Sequence, residues 1–194
     1  MNWPFGDDED RELTMAREAG WSWADLTWER QMENGIAAYK GDDIQTAEIL
    51  FRQADLLSRA AFPRNDLRKA SVAANLALLA AAQGDIKSAQ RHQRRALRIW
   101  QSSAEKQIDD MQIGPRTRSS LYHLRMETRH RETFHDNMRI RYRKFARETE
   151  ETLEHLLESS LPHRHYARWI GERPPVHDDT RKVMAACLLI IDPS

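Results

Sequence analysis

A chain of 194 residues is long enough to bury a core within one domain, and its 30 acidic and 30 basic side chains leave no net charge to pull it non-specifically onto nucleic acid or membrane. With 40% hydrophobic and 31% charged residues, and only seven glycines and seven prolines, the composition suits long helices in thin layers. A lone cysteine, Cys187, excludes an intramolecular disulfide framework.

In chain order, the first predicted helix covers Asp8 to Glu18 and ends at Gly20. Ser22 can cap a helix from Trp23 to about Tyr39, because its hydroxyl can accept a hydrogen bond from an otherwise unpaired amide. Gly41 stops that helix, and Asp42 or Asp43 caps the next, about Ile44 to Ala60. On it Ala47, Leu50, Phe51, Ala54 and Leu57 share one face. Phe62-Pro63 breaks the pattern. Asp66 starts a helix over Leu67 to Gln83, Gly84 ends it, and Asp85 caps another that reaches Trp100 or beyond. Gly114-Pro115 reads as a linker. From Arg116 to Ser159 there is neither Gly nor Pro, which allows one long helix closed by Pro162. Gly171 to Pro175 is a loop, and Asp178 or Asp179 caps a last apolar helix ending before Pro193.

The apolar run Val183 to Ile191 falls far short of the roughly 20 residues of a membrane span. The first ten residues are acidic, unlike a secretory signal. A cytoplasmic location is expected by elimination. Cys187 lies inside the apolar run and reads as a small buried hydrophobe.

Charge is segregated along the chain. Residues 1–60 hold thirteen acids against six Lys/Arg, residues 112–147 ten Lys/Arg against three acids, and residues 148–158 five glutamates and no base. Solvated helix faces and attraction between these segments account for the pattern. A sharper reading is a basic face of Arg91, Arg94, Arg95 and Arg98, with Arg139, Arg141, Arg143, Lys144 and Arg147, turned towards nucleic acid or an acidic partner.

Two stretches are self-similar. Gly35, Gly41-Asp42-Asp43-Ile44, Ala47, Phe51 and Ala54 correspond to Ala77, Gly84-Asp85-Ile86, Ala89, Gln93 and Ala96. Each is a helix, a tight Gly-Asp turn and a helix. The pattern resembles the tetratricopeptide repeat family: Gly35 and Ala77 match the small residue of the first helix, Ala47 and Ala89 that of the second, and Ala54 and Ala96 its later alanine. Phe51 matches the bulky position, whereas Gln93 departs from it. Gln31, Ala38, Ala73 and Ala80 depart from the usual aromatic positions, and the terminal proline is missing from both units. Equivalent alanines lie 42 residues apart, against the commonest spacing of 34. The resemblance covers residues 24–100. It implies an all-α fold with a capping segment over 1–22, two helix pairs over 23–112, and a long helix plus the apolar helix over 113–194 packing on the repeats.

The resemblance also implies a concave groove lined by the first helix of each pair. Its walls would be Glu29, Met32, Ile36, Tyr39 and Lys40, then Ser71, Ala74, Leu78, Ala81 and Ala82. So apolar a second wall argues against the carboxylate clamp of some family members and for a helical or peptide occupant. The candidates are the chain's own C-terminal helix, a second copy forming a homodimer, or a foreign segment. Function is accordingly expected to be protein–protein interaction, as an adaptor or regulatory module.

On the long helix Leu121, Leu124, Thr128, Arg131, His135, Met138, Tyr142, Phe145, Thr149, Thr152 and Leu156 form a weak heptad seam, fit either to lie on the repeat layer or to dimerise. Trp21, Trp23 and Trp28 read as core or as an aromatic anchor. Among the histidines, His155, His163 and His165, or His123 and His130 with Glu127, lack the spacing of a metal site. No phosphate loop, nucleophile elbow or carboxylate dyad is present. A basic-face binder and a metal-dependent helical enzyme stand as the alternatives, with no cofactor or metal ligand assigned.

Overall fold

The computed structural model describes residues 7–112, 128–157 and 177–191, and over these the protein is all-α. Among the described residues there are seven helices and no strand: α1 (Asp7–Glu18), α2 (Trp23–Lys40), α3 (Ile44–Ala61), α4 (Arg68–Ala82), α5 (Ile86–Asp110), α6 (Thr128–Glu154) and α7 (Asp179–Leu188). None of them is long and apolar enough to cross a membrane. The Gly114-Pro115 linker, the loop Gly171 to Pro175, Leu121, Leu124, His123, Glu127, His163 and His165 lie outside the described residues, as do the side chains of Thr128, His130 and Arg131.

The helices begin where short polar side chains can satisfy their free amides. Ser22 and Asp25 form a reciprocal capping box: the Asp25 amide donates to Ser22 Oγ at 3.3 Å, and the Ser22 amide donates to Asp25 Oδ2 at 2.7 Å. Asp43 and Asp85 each accept from an amide three residues on, Thr46 and Ser88, at 3.0 Å. Asp178 caps α7 through the Arg181 amide. Helix α4 departs from expectation, since it starts at Arg68 and its N-cap Leu67 offers no side-chain acceptor. There Asp66 Oδ1 accepts from the Arg68 amide instead.

The turns α2–α3 and α4–α5 share the same pair of closing bonds. The Asp43 amide donates to Ala38 O at 2.9 Å and the Asp42 amide to Tyr39 O at 3.0 Å; 42 residues on, Asp85 donates to Ala80 O at 2.8 Å and Gly84 to Ala81 O at 3.0 Å. This double closure needs one left-handed residue, here Asp42 at φ 63° and Gly84 at φ 78°. Glycine meets that demand at no steric cost and aspartate at a modest one. The structural equivalents are therefore Asp42 and Gly84, and Gly41 sits one position earlier, at φ −82°.

Within each pair the helices meet through small residues. Gly35, Ala47, Ala77 and Ala89 are all buried. At Gly35 the approach is closest, since a Cβ there would stand 2.6 Å from Cε1 of the fully buried Phe51 ring. α4 is the hub. It touches α3, α5 and α7, and every residue from Arg68 to Ala80 is buried. α6 lies along α5, placing Tyr142, Ala146, Thr149, Leu153 and Leu156 inward, and Ala146 O accepts from Trp100 Nε1 at 3.1 Å. From Met138 to Leu156 the expected seam therefore faces its own chain. The tryptophans divide: Trp28 is in the main core, Trp21 packs with Ala16 and Leu26 in a second small cluster, and Trp23 is 62% exposed.

A branched side chain at Gly35 must push Phe51 out of a filled site, and overpacking of this kind costs about 1–3 kcal/mol. Gly35→Val is expected to lower the urea midpoint accordingly. Gly35→Ala should be milder, because alanine regains about 1 kcal/mol of helix propensity.

Candidate functional site in the α2–α4 groove

Residues 177–191 of the same chain pack on α4, where Ser71, one of the expected wall residues, and Asn75 both bond to them. Ser71 Oγ donates to Ala186 O at 2.5 Å. Asn75 holds the chain on both sides, its Nδ2 donating to Leu189 O at 3.0 Å and its Oδ1 accepting from the Ile191 amide at 2.8 Å. A side-chain amide is suited to this task because it presents a donor and an acceptor side by side, the same pair that a peptide backbone offers. Val183, Ala185, Ala186, Leu189, Ile190 and Ile191 are buried in the main core.

At the other end Arg181 reaches α2. Its Nε and Nη2 donate to the two carboxylate oxygens of Glu29, at 3.1 and 2.5 Å, and both side chains are 2% exposed. Arg181 Nη1 lies 3.0 Å from His177 Nε2, and the guanidinium stands over the Trp21 ring at 5.1 Å, with His177 edge-on to the same indole. A second buried guanidinium, Arg68, joins Asp25 at 2.5 Å and Asp66 at 2.8 Å and lies 3.5 Å above the Phe62 ring. Burial pushes the Asp25 carboxyl up, but Arg68 and the Ser22 hydrogen bonds outweigh it and hold the group below its ordinary value.

Of the expected wall residues, Met32, Ile36, Ser71, Ala74 and Leu78 are buried, Tyr39 and Ala81 are half-buried, and Lys40 and Ala82 are exposed. Glu29 forms the buried ion pair with Arg181 of the C-terminal segment. Asn75 and Arg181 were not singled out by sequence reasoning as groove residues. A signal for Asn75 existed, since it and Ser71, four residues apart, are the only polar side chains between Ala70 and Ala82. Cys187 is fully buried, and burial pushes its thiol up to about 12 against the opposing Thr149 hydrogen bond, so no thiolate forms near neutral pH.

The expected basic face is divided. Arg143 pairs with Glu105 and Asp109 across the α5–α6 contact, and Arg139 donates to Asp109 O. Lys144 stands 4.0 Å from Glu148, Arg141 lies over Phe145, and Arg147 is exposed. Arg91, Arg94, Arg95 and Arg98 are instead on the first half of α5, where Arg95 pairs with Asp55 of α3 at 2.7 Å. Among the described residues no group of three His, Cys, Asp or Glu side chains is placed to hold a metal ion, and His155 is exposed.

Compared with known proteins, the chain matches no protein-family model, no curated protein and no solved structure.

Removing one partner of a buried ion pair strands the other charge, at a cost of about 3–5 kcal/mol. Arg181→Met is expected to destabilise the fold by that order in urea denaturation. Adding Glu29→Gln to it should restore part of the loss, a non-additivity that a double-mutant cycle reads directly.

Proposed function

We propose that this protein is a protein-interaction module on the tetratricopeptide plan, whose α2–α4 groove binds a peptide segment by its backbone and by a buried arginine. The observation that carries this reading is the Asn75 side chain, which pairs with Leu189 O and the Ile191 amide of the segment seated on it. Recognition through main-chain groups is indifferent to side-chain sequence, so specificity falls to the pockets and to Glu29. The two turns with matching closing bonds 42 residues apart, and the small residues at Gly35, Ala47, Ala77 and Ala89, support the repeat plan. In the intact chain the groove already holds residues 177–191. A partner with the same features competes with them, and the tether gives the internal segment the advantage of high effective concentration. The module thus acts as an adaptor whose groove is released only to a better-matched segment.

A charge swap tests this on the full chain. Glu29→Arg sets the internal Arg181 against a like charge and weakens its own segment. A fluorescent peptide of residues 177–191 carrying Arg181→Glu should bind the Glu29→Arg chain at least ten-fold more tightly in anisotropy titrations than the unaltered peptide does. Equal binding of the two peptides, or binding of neither, contradicts the reading.

A further inference from the structure

His177 stands at the start of the C-terminal segment and is buried, at 6% exposure. Its Nε2 lies 3.0 Å from Arg181 Nη1. A guanidinium has donors only and does not give up its proton, so Nε2 must be the acceptor and the ring proton sits on Nδ1. The seated segment therefore requires a neutral His177.

Among the described residues, the charged groups of this cluster are Arg181, Lys182, Asp178 and Asp179 on the segment itself and Glu29 on α2. Glu29 accepts from Arg181 through both oxygens, and Asp178 Oδ1 accepts from the Arg181 amide. Asp179 Oδ1 lies 3.7 Å from Lys182 Nζ. Asp25 of α2 and Arg68 of α4, which border the same cleft as Asp179 and Lys182, pair with each other. The Trp21 ring is 5.1 Å from the His177 ring and edge-on to it, and it already receives two cations, Arg181 at 5.1 Å and Lys182 at 5.6 Å. A proton added at Nε2 would turn the acceptor into a donor facing another donor. It would also put a third cation against one indole.

We propose that residues 177–191 are an acid-released latch, in which protonation of His177 at Nε2 breaks its contact with Arg181 and frees the segment from α4. The opening itself rests on the seating of the segment, and only what the opened groove admits rests on the function proposed above. Burial of Val183, Ile190 and Ile191 is indifferent to pH, so it supplies a constant hold that the titrating contact modulates. A released His177 takes up a proton near the ordinary histidine value of about 6.5. Because the proton binds the open form and not the seated one, acid favours opening. The latch is held above about pH 7, and the open fraction rises about ten-fold by pH 5.5. Carboxylates protonate near pH 4, outside that window.

The test uses the full chain and its only cysteine, Cys187, which is buried in the same segment. Its reaction with 4,4′-dithiodipyridine is followed between pH 7.5 and 5.5. Dividing each rate by that of the urea-unfolded chain at the same pH removes the reagent's own pH dependence. The normalised rate should rise about ten-fold towards pH 5.5, with the helical circular dichroism retained. His177→Gln keeps an acceptor for Arg181 but does not titrate, so its profile should be flat. His177→Arg fixes a cation there and should react at pH 7.5 at least ten-fold faster than the unaltered chain. A flat profile in the unaltered chain, a rise that persists in His177→Gln, a slow His177→Arg, or a rise that coincides with loss of helical signal overturns the proposal. The readout involves no peptide, so failure of the latch is distinguishable from failure of the groove to bind one.

Discussion

The contact on which the rest depends is the seating of residues 177–191 on α4. A helix of alanine and leucine buried from Arg68 to Ala80 needs cover on every side. α3 and α5 cover two of them, and the C-terminal segment covers the third. Each fully buried aliphatic side chain in that segment contributes about 1.5–3 kcal/mol. Hydrophobic burial is non-directional, however, and would tolerate a slide along the groove. The polar contacts set the position: Arg181 must meet Glu29, and Asn75 must meet Leu189 and Ile191 together. A slip of one residue would strand a buried guanidinium away from the Glu29 carboxylate.

The two faces of α4 therefore differ in kind. One is closed by a segment read through its backbone, with its charges fully paired. The other is packed by α3 and α5, and the cleft between those two helices is lined by three arginines and three acids. What the chain adds is an asymmetry of charge, in which the cations of α6 are largely answered by α5 and Phe145 while those on the first half of α5 outnumber their acids.

Much of the helical frame was legible in the residues. Ser22, Asp43, Asp85 and Asp178 cap helices because their short side chains reach a nearby amide, which is local information. The small residues at Gly35, Ala47, Ala77 and Ala89 marked close approach for the same reason. The left-handed residue of the first turn was not legible. Gly41 looked like the natural candidate, yet the bonding register puts Asp42 there. The groove's polar anchors were hidden by distance. Glu29 and Arg181 are 152 positions apart, and nothing in either neighbourhood distinguishes them from surface charges. The basic clusters looked like one face because linear order does not show that α6 meets the acidic end of α5.

Native-state hydrogen exchange of the Ile191 amide tests the central claim most directly. Because that amide donates to Asn75 within the core, it should exchange as slowly as the amides of α4, and Asn75→Ala should speed it selectively while α4 stays protected. Exchange of Ile191 at the rate of an unstructured chain, with α4 still protected, would contradict the account.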